Sequence, residues 1–442
     1  MYRTTYRIAT ALAHTLPLPS GTVRDSVTAR HAALGRWREW GRNRPGGEPL
    51  VWVHGASVGE LTTAEPVITR LVRDRPRLQV VATYSSPSAT NWQLASGFTH
   101  VDFVPADRPR DVAATLDALR PSLLVFSRGD VWPELVRGAA ARRIPVAIMA
   151  GTVRPASGRL RWPVRSLYAR VLNTVSWLGA VSEADAERWM RLGVPAGRIV
   201  VTGDPRHDAV LDRVPEPRRL TPLEDWRGGD PTLVAGSVEP GDRPVLLEAA
   251  RTVLHANSDA RLILVPHEPD TAAVAGWRHA VQTAGLAVGV WTPAHRAPRS
   301  VRIVLVAARG LLADLYSIGA LAYVGGGFRR RGLHAVAEPA AWAVPVIVGP
   351  QWRDAADAAT LLQAGGAVGL PRRGAGAALV GAWSSWLADA EARIRAGLSA
   401  RQTLSRGAAR HTADTLGGLL GGSLGPWSAR GGVVGGPRSG GQ

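Results

Sequence analysis

Cysteine is absent from the 442 residues, and so is lysine. Without thiols the chain has neither disulfides nor thiolate metal centres, and cysteine usage gives no indication of redox compartment. Without lysine, all 53 residues of the Lys+Arg total are arginine; they stand against 35 acidic residues, a formal charge of +18. Base composition accounts for arginine in place of lysine but not for the sign of the excess. That sign favours anionic partners: phosphorylated substrates, nucleic acid or an anionic membrane surface. Guanidinium groups also grip phosphate bidentately, which lysine cannot do.

Long apolar runs are missing as well. Residues 1–18, MYRTTYRIATALAHTLPL, are interrupted by Arg3, Arg7 and His14, so their uninterrupted apolar run falls far short of the roughly 20 residues needed to cross a bilayer. No small-residue cleavage site follows them, which argues against a signal peptide. Tyr2, Tyr6, Ile8, Leu12 and Leu16 recur near helical spacing. Residues 1–30 therefore read either as an amphipathic membrane-surface anchor or as an ordinary helix packed on the protein.

What is present is an ordinary globular balance, with 45% hydrophobic and 20% charged residues. A wholly disordered chain lacks that apolar content. The length suits two domains or three. Short apolar runs alternate with longer helical patterns, which is the rhythm of βα units around parallel sheets. Strands are predicted at Leu50–His54, Gln79–Tyr84, Leu123–Phe126 and Trp177–Val181, and again at Thr232–Gly236, Arg261–Val265, Ala320–Val324 and Val344–Val348. Between these sets lies a stretch with Pro205, Pro215, Pro217, Pro222 and the Gly228-Gly229 pair, the best linker candidate. The expected organisation is the N-terminal segment 1–30, a first α/β domain 31–208, a linker 209–231, a second α/β domain 232–416 and a disordered Gly-rich tail 417–442. Two doubly wound domains in series predict a cleft between them, with ligand-binding motifs just after the strands.

Two such motifs stand out. Val51-Trp52-Val53-His54 runs into Gly55-Ala56-Ser57-Val58-Gly59-Glu60 and then a helix. Glu60 falls in the first turn, where the helix dipole favours an ionised carboxylate that could accept a proton from an attacking hydroxyl. Alone, the segment fits a plain helix cap better, since Ser57 and Glu60 form a Ser-x-x-Glu box. The second motif is Gly325-Gly326-Gly327-Phe328, then Arg329, Arg330, Arg331 and Gly332, then a helix expected to open at Leu333-His334. Backbone N–H groups of such a turn and a helix N-terminus make an anion cradle, and the arginines add charge. Glu338, four residues after His334, is expected one helical turn on and facing the same way, placed to accept hydrogen bonds from ribose hydroxyls. A capping or buried histidine and a solvated arginine loop explain each part singly; their coincidence at one strand end favours a nucleotide site.

In order and spacing, WVHGASVGE (52–60), DVWPEL (130–135), AVSEADAERWMRLGVPAGRIVVTGDPRHD (180–208), AGSVEPGD (235–242), VPHEPD (265–270) and YVGGGFRRRGLHAVAEPAAWAVPVIVGP (323–350) resemble the 3-deoxy-D-manno-octulosonic acid (Kdo) transferases. The resemblance covers roughly residues 35–415. It implies a GT-B fold of two Rossmann-like domains, a CMP-activated Kdo donor, a lipid A precursor as acceptor, and transfer without metal or other cofactor. It also implies a peripheral place on the cytoplasmic face of the inner membrane. The catalytic glutamate falls on Glu60, with Ser57, Gly59, Asp130 and Arg154 at the acceptor. Nucleotide contacts fall on Arg206, Gly236, Ser237, His267, Glu268, Gly326, Gly327, His334 and Glu338.

The departures are specific. The family's Glu-Thr-Glu before Trp-Pro reads Arg128-Gly129-Asp130 here; its Asn after the turn's His is Ala335; and its Asn-Leu-Lys-Phe-Asp is similar to Asp204-Pro205-Arg206-His207-Asp208. They point to a divergent branch, another acceptor or a related ulosonic acid donor. Two alternatives stay open: another GT-B enzyme with a different nucleotide sugar or acceptor, and a non-catalytic relative binding membrane surfaces or polyanions. Nucleic-acid binding is disfavoured, because the arginines are dispersed and no recognition module is present.

Overall fold

The computed structural model describes residues 22–44, 46–86, 89, 97–216, 220–295, 299–328, 332–353 and 355–421. The segment 1–21, the arginine run 329–331 and the tail 422–442 lie outside the described residues. Among the described residues no helix is long and apolar enough to cross a membrane.

The chain divides into two compact units. One comprises residues up to Arg206 together with those from Gly407 onward; the other is His207–Arg406. In the first unit β1 (Leu50–His54), β2 (Gln79–Tyr84), β3 (His100–Phe103), β4 (Leu123–Ser127), β5 (Val146–Gly151), β6 (Trp177–Ala180) and β7 (Ile199–Val201) form one parallel sheet in the order β3-β2-β1-β4-β5-β6-β7. These strands are continuous apolar runs because both faces are covered: every residue of β1, β4 and β5 is buried. The strand order reverses between β1 and β4. In an open parallel sheet that reversal opens a crevice beyond the carboxyl ends of the two strands, where His54, Ser57, Glu60, Arg128 and Asp130 lie in the chain.

The second unit repeats the plan. Here β8 (Thr232–Val238), β9 (Arg261–Pro266), β10 (Val288–Trp291), β11 (Ile303–Val306), β12 (Leu321–Val324), β13 (Val346–Val348) and β14 (Ala367–Gly369) form a parallel sheet in the order β10-β11-β9-β8-β12-β13-β14. Its reversal falls between β8 and β12.

Two boundaries differ from the sequence reading. The stretch 209–231 is no bare linker: it holds the end of the helix Pro205–Arg213 and the helix Thr221–Arg227, whose Leu223 and Trp226 are buried against the second unit's sheet with Leu220. The helix Ala408–Leu420 belongs to the first unit, where Ala409, Ala413 and Leu416, at helical spacing, join the core beside the helix Val58–Asp74. Residues 417–420, read as tail, are the last turn of that helix.

Candidate active site and nucleotide pocket

In the first unit, the turn Gly55-Ala56-Ser57 leads from β1 into the helix Val58–Asp74. Ser57 stands at the N-cap in extended geometry, but its hydroxyl makes no cap hydrogen bond. The Ser-x-x-Glu box is not formed. Instead the Ala56 N–H donates to Glu60 Oε2 at 2.6 Å, and among the described residues Glu60 Oε1 has no hydrogen-bond partner. Glu60 is half-buried. Burial is the largest influence and raises the proton affinity of its carboxyl; the Ala56 N–H opposes it, Asp130 adds to it, and His54 and Arg128 oppose it more weakly. The helix dipole favours the ionised carboxylate, but burial pulls the other way more strongly and raises the proton affinity, because a helix terminus contributes a few tenths to about 1 kcal/mol while burial can move a carboxyl by whole pKa units. The outcome is a better base, one that holds a proton more strongly than a solvated glutamate.

Gly59 is exposed, and a Cβ there would meet nothing within 4 Å. Packing does not demand glycine at this position.

Asp130 is held by a polar cluster that the sequence hinted at only through its motif. The Trp132 indole N–H reaches Asp130 Oδ2 at 3.1 Å and His54 Nε2 lies 3.4 Å from the same oxygen. His54 is fully buried, and its Nδ1 is 2.9 Å from Thr83 Oγ1, which also accepts from the Trp52 indole at 2.9 Å. Burial works against the Asp130 charge, but the contacts with His54 and Trp132, and nearby Arg159, outweigh it and lower its proton affinity. Glu60 and Asp130 are thus pushed apart in pKa, the arrangement expected of two carboxyls with different tasks. Arg154 is exposed in the turn after β5.

Arg206 is the last residue of the first unit's N-terminal part and is not among the residues lining the second unit's cavity. Its guanidinium grips Asp204 through Nε at 3.0 Å and Nη2 at 2.6 Å, and its backbone N–H donates to Asp204 Oδ1 at 2.9 Å. Arg128 Nη1 donates to Asp204 Oδ2 at 3.2 Å. Asp204 is 1% exposed. Burial opposes its charge, but Arg206 and then Arg128 hold its carboxyl well below the usual carboxylate range. A depressed carboxyl contributes stability that is present above its unfolded pKa, about 3.9, and lost as pH falls. Asp204→Asn should lower stability by about 2 kcal/mol at neutral pH, the scale of lost charge-assisted hydrogen bonds. The deficit should shrink as pH drops below about 4, which paired denaturant unfolding curves at two pH values will measure.

In the second unit, Arg213, Ser237, His267, Gly310, Leu312, Ala313, Tyr316, Val324, His334, Ala335 and Glu338 line a cavity of about 360 Å³. It sits at the carboxyl ends of β8 and β12, the switch point of that sheet. The register of β8 against β9 shifts between Gly236 and Val238. Ser237, at φ +51, occupies that bulge and lines the cavity. Strained backbone of this kind persists where the surroundings over-determine it. The His267 and His334 rings stack at 4.0 Å, with His334 Nε2 3.2 Å from Glu239 Oε1. Burial, then His334, pushes the His267 imidazole pKa down. Glu268 is exposed beside His267 and does not line the cavity.

Two parts of the sequence reading are corrected here. The helix after the glycine turn begins at Ala337, not at Leu333, and spans only Ala337–Ala341. His334 and Glu338 therefore reach the same cavity from a loop and a first helical turn, not from one helix face. The glycine turn is also not an open cradle. The Gly325 N–H donates to Gly236 O at 2.9 Å and the Gly326 N–H to Asp242 Oδ2 at 3.2 Å, so both are spent within the chain. These glycines are demanded by close packing: Gly326 has φ +86, and a Cβ on Gly327 would sit 2.6 Å from Gly349 Cα. Gly236 serves Tyr316, whose hydroxyl lies 2.1 Å from where a Cβ would be. Asp242, fully buried, ties the turn in place through the Tyr323 hydroxyl at 2.7 Å.

Sequence reasoning missed Arg213, Gly310, Leu312, Ala313 and Tyr316. Gly310, with φ +75, follows β11, and a glycine after a strand is the one signal that could have flagged its turn. Arg213 was hidden in the presumed linker.

The geometry can be set beside known proteins. Residues 29–209 match the family model described as 3-deoxy-D-manno-octulosonic-acid transferase (kdotransferase). A curated 3-deoxy-D-manno-octulosonic acid transferase of Haemophilus influenzae is 24% identical over 307 residues, 68% of this chain and 70% of that protein. Another, from Chlamydia muridarum, is 27% identical over 328 residues, 71% of this chain and 73% of that protein. The chain is thus similar to the Kdo transferases, through the family model over residues 29–209 and through curated relatives over about 70% of its length. It is a glycosyltransferase. A solved glycosyltransferase from Rickettsia africae aligns with a TM-score of 0.59 at 11% identity, covering 85% of this chain and 99% of that one. That likeness concerns the fold alone, which is GT-B.

Proposed function

We propose that this chain is a Kdo transferase, moving Kdo from CMP-Kdo to a hydroxyl of a lipid A precursor, with inversion and with Glu60 as general base. The observation that carries the reading is the Glu60 carboxyl. It lies at the switch point of the first sheet, desolvated toward higher proton affinity, with one oxygen bound to the Ala56 N–H and the other uncommitted among the described residues. Bond-making and bond-breaking balance simply. The acceptor oxygen bonds to the anomeric carbon, its proton passes to Glu60, and the bond from that carbon to the CMP phosphate breaks with its electrons leaving on CMP. Direct displacement inverts the carbon.

The second-unit cavity takes the nucleotide in this reading. Glu338 has no hydrogen bond among the described residues, and Arg213, His267 and His334 line the same space. Cations and N–H donors of this kind stabilise a departing phosphate, which the resemblance implies occurs without metal. Ser57, Gly59 and Asp130 attend the acceptor. The exposed, packing-free Gly59 gives a sugar room to approach. The acceptor's lipid chains imply a peripheral place at the inner membrane's cytoplasmic face.

A thermal-shift panel of CMP, UDP and GDP tests the nucleotide. A ligand at a hundred times its Kd adds about 2.7 kcal/mol to the native state, so CMP should raise Tm while UDP and GDP leave it unchanged. An equal shift with UDP would overturn the CMP assignment and favour another nucleotide sugar.

A further inference from the structure

Arg128 is poorly explained as a structural ion pair. It follows β4 directly, at the carboxyl end of a strand bordering the first sheet's switch point, and its backbone lies in the left-handed region at φ +66, a costly conformation for a residue with a Cβ. The Arg128 N–H donating to Met149 O at 2.8 Å fixes that conformation. The return from Asp204 is small. That carboxylate is already held by Arg206 through Nε, Nη2 and the backbone N–H, whereas Arg128 adds one contact at 3.2 Å. Of its five guanidinium N–H groups, one is used among the described residues. The side chain is 24% exposed and close enough to Glu60 to act on its charge.

We propose that Arg128 is an oxyanion receptor beside Glu60 that binds a phosphate or carboxylate carried by a sugar substrate. This rests on the reading of Glu60 as the base acting on a sugar hydroxyl. A guanidinium with four spare donors matches either anion through a two-point contact. It also couples binding to chemistry. Unliganded, Arg128 favours the ionised Glu60; a bound anion offsets that charge, so the carboxylate becomes a stronger base once the substrate is seated.

The test uses the full chain, the variants Arg128→Gln and Arg128→Lys, and calorimetric titration without donor. Glucosamine phosphate and uncharged glucosamine are the two probes, with CMP as control. We expect Arg128→Gln to weaken glucosamine phosphate at least tenfold, to leave glucosamine and CMP unchanged, and Arg128→Lys to lie between. Steady-state assays with CMP-Kdo and phosphorylated or dephosphorylated acceptor then separate the sources. A rise in KM confined to the phosphorylated acceptor assigns an acceptor phosphate; a rise in donor KM alone, with unaltered sugar-phosphate binding, assigns the donor carboxylate. Wild-type values for Arg128→Gln in the titration and in both KM measurements overturn the proposal. Should the wild type transfer no Kdo, the reading of the reaction fails, yet the titration still decides whether Arg128 binds anions. Should Arg128→Gln fail to fold, Arg128→Lys decides: it keeps the charge but lacks the planar fork, and undiminished glucosamine phosphate binding overturns the proposal.

Discussion

Glu60→Gln should reduce kcat by on the order of 10³-fold, within the 10²–10⁴ range of positioned general bases, while leaving the CMP-induced rise in Tm unchanged. Glutamine keeps an oxygen to accept the Ala56 N–H, now received at 2.6 Å, so the turn is preserved and only the proton acceptor is removed. The pH profile gives a second readout. Transfer needs the ionised base, and burial lifts the Glu60 carboxyl above its ordinary range. The acidic limb of kcat/KM in the wild type should therefore fall at a pH above the roughly 4.3 of a solvated glutamate. In Glu60→Gln that limb should disappear from the residual rate. Near-wild-type turnover in the variant would remove Glu60 from the role.

Glu338→Gln should act in the opposite pattern, weakening CMP by roughly 10- to 100-fold, the value of one or two hydrogen bonds to a charged group. Glu338 lines the 360 Å³ cavity and has no hydrogen bond within the described chain. Burial raises its proton affinity, with Asp314 adding to the effect and Arg213 opposing it. A desolvated carboxylate without a hydrogen-bonded partner costs the free protein stability, and a vicinal diol with two O–H donors would relieve it. The variant should therefore melt at a higher temperature than the wild type without ligand, and gain less from CMP. Gain of stability with loss of affinity is the mark of a binding residue; a purely structural Glu338 would lose stability. Calorimetric titration and a melting curve on the same sample decide between them.

How much of this was legible in the sequence depends on which forces set each feature. β1 and β2 were bounded correctly from Leu50–His54 and Gln79–Tyr84, because a parallel strand covered on both faces is an apolar run cut off by turn residues. The helix Thr221–Arg227 was lost among prolines that look like linker. Yet Pro222 opens that helix where its missing N–H is harmless. Ala409, Ala413 and Leu416 announce an amphipathic helix, but nothing local says that it joins the first unit's core. At the sites, Glu60, His334 and Glu338 stood out through the strand-ending turns before them, and Ser237 through the resemblance. Their electrostatics did not, since the helix dipole is a local property and desolvation depends on everything packed around a group. The spent amides of Gly325 and Gly326 were invisible for the same reason: their acceptors, Gly236 and Asp242, lie far away in sequence. Tyr316 left no sequence signal; only the missing Cβ of Gly236 makes room for its hydroxyl.

The most direct measurement is mass spectrometry of a lipid A precursor incubated with purified protein and CMP-Kdo, with no metal added. The predicted result is acceptor heavier by one or more Kdo residues with matching release of CMP, and no product from Glu60→Gln over the same time. Unmodified acceptor with the wild type, or equal product with Glu60→Gln, would contradict the assignment of Kdo transfer driven by that carboxylate.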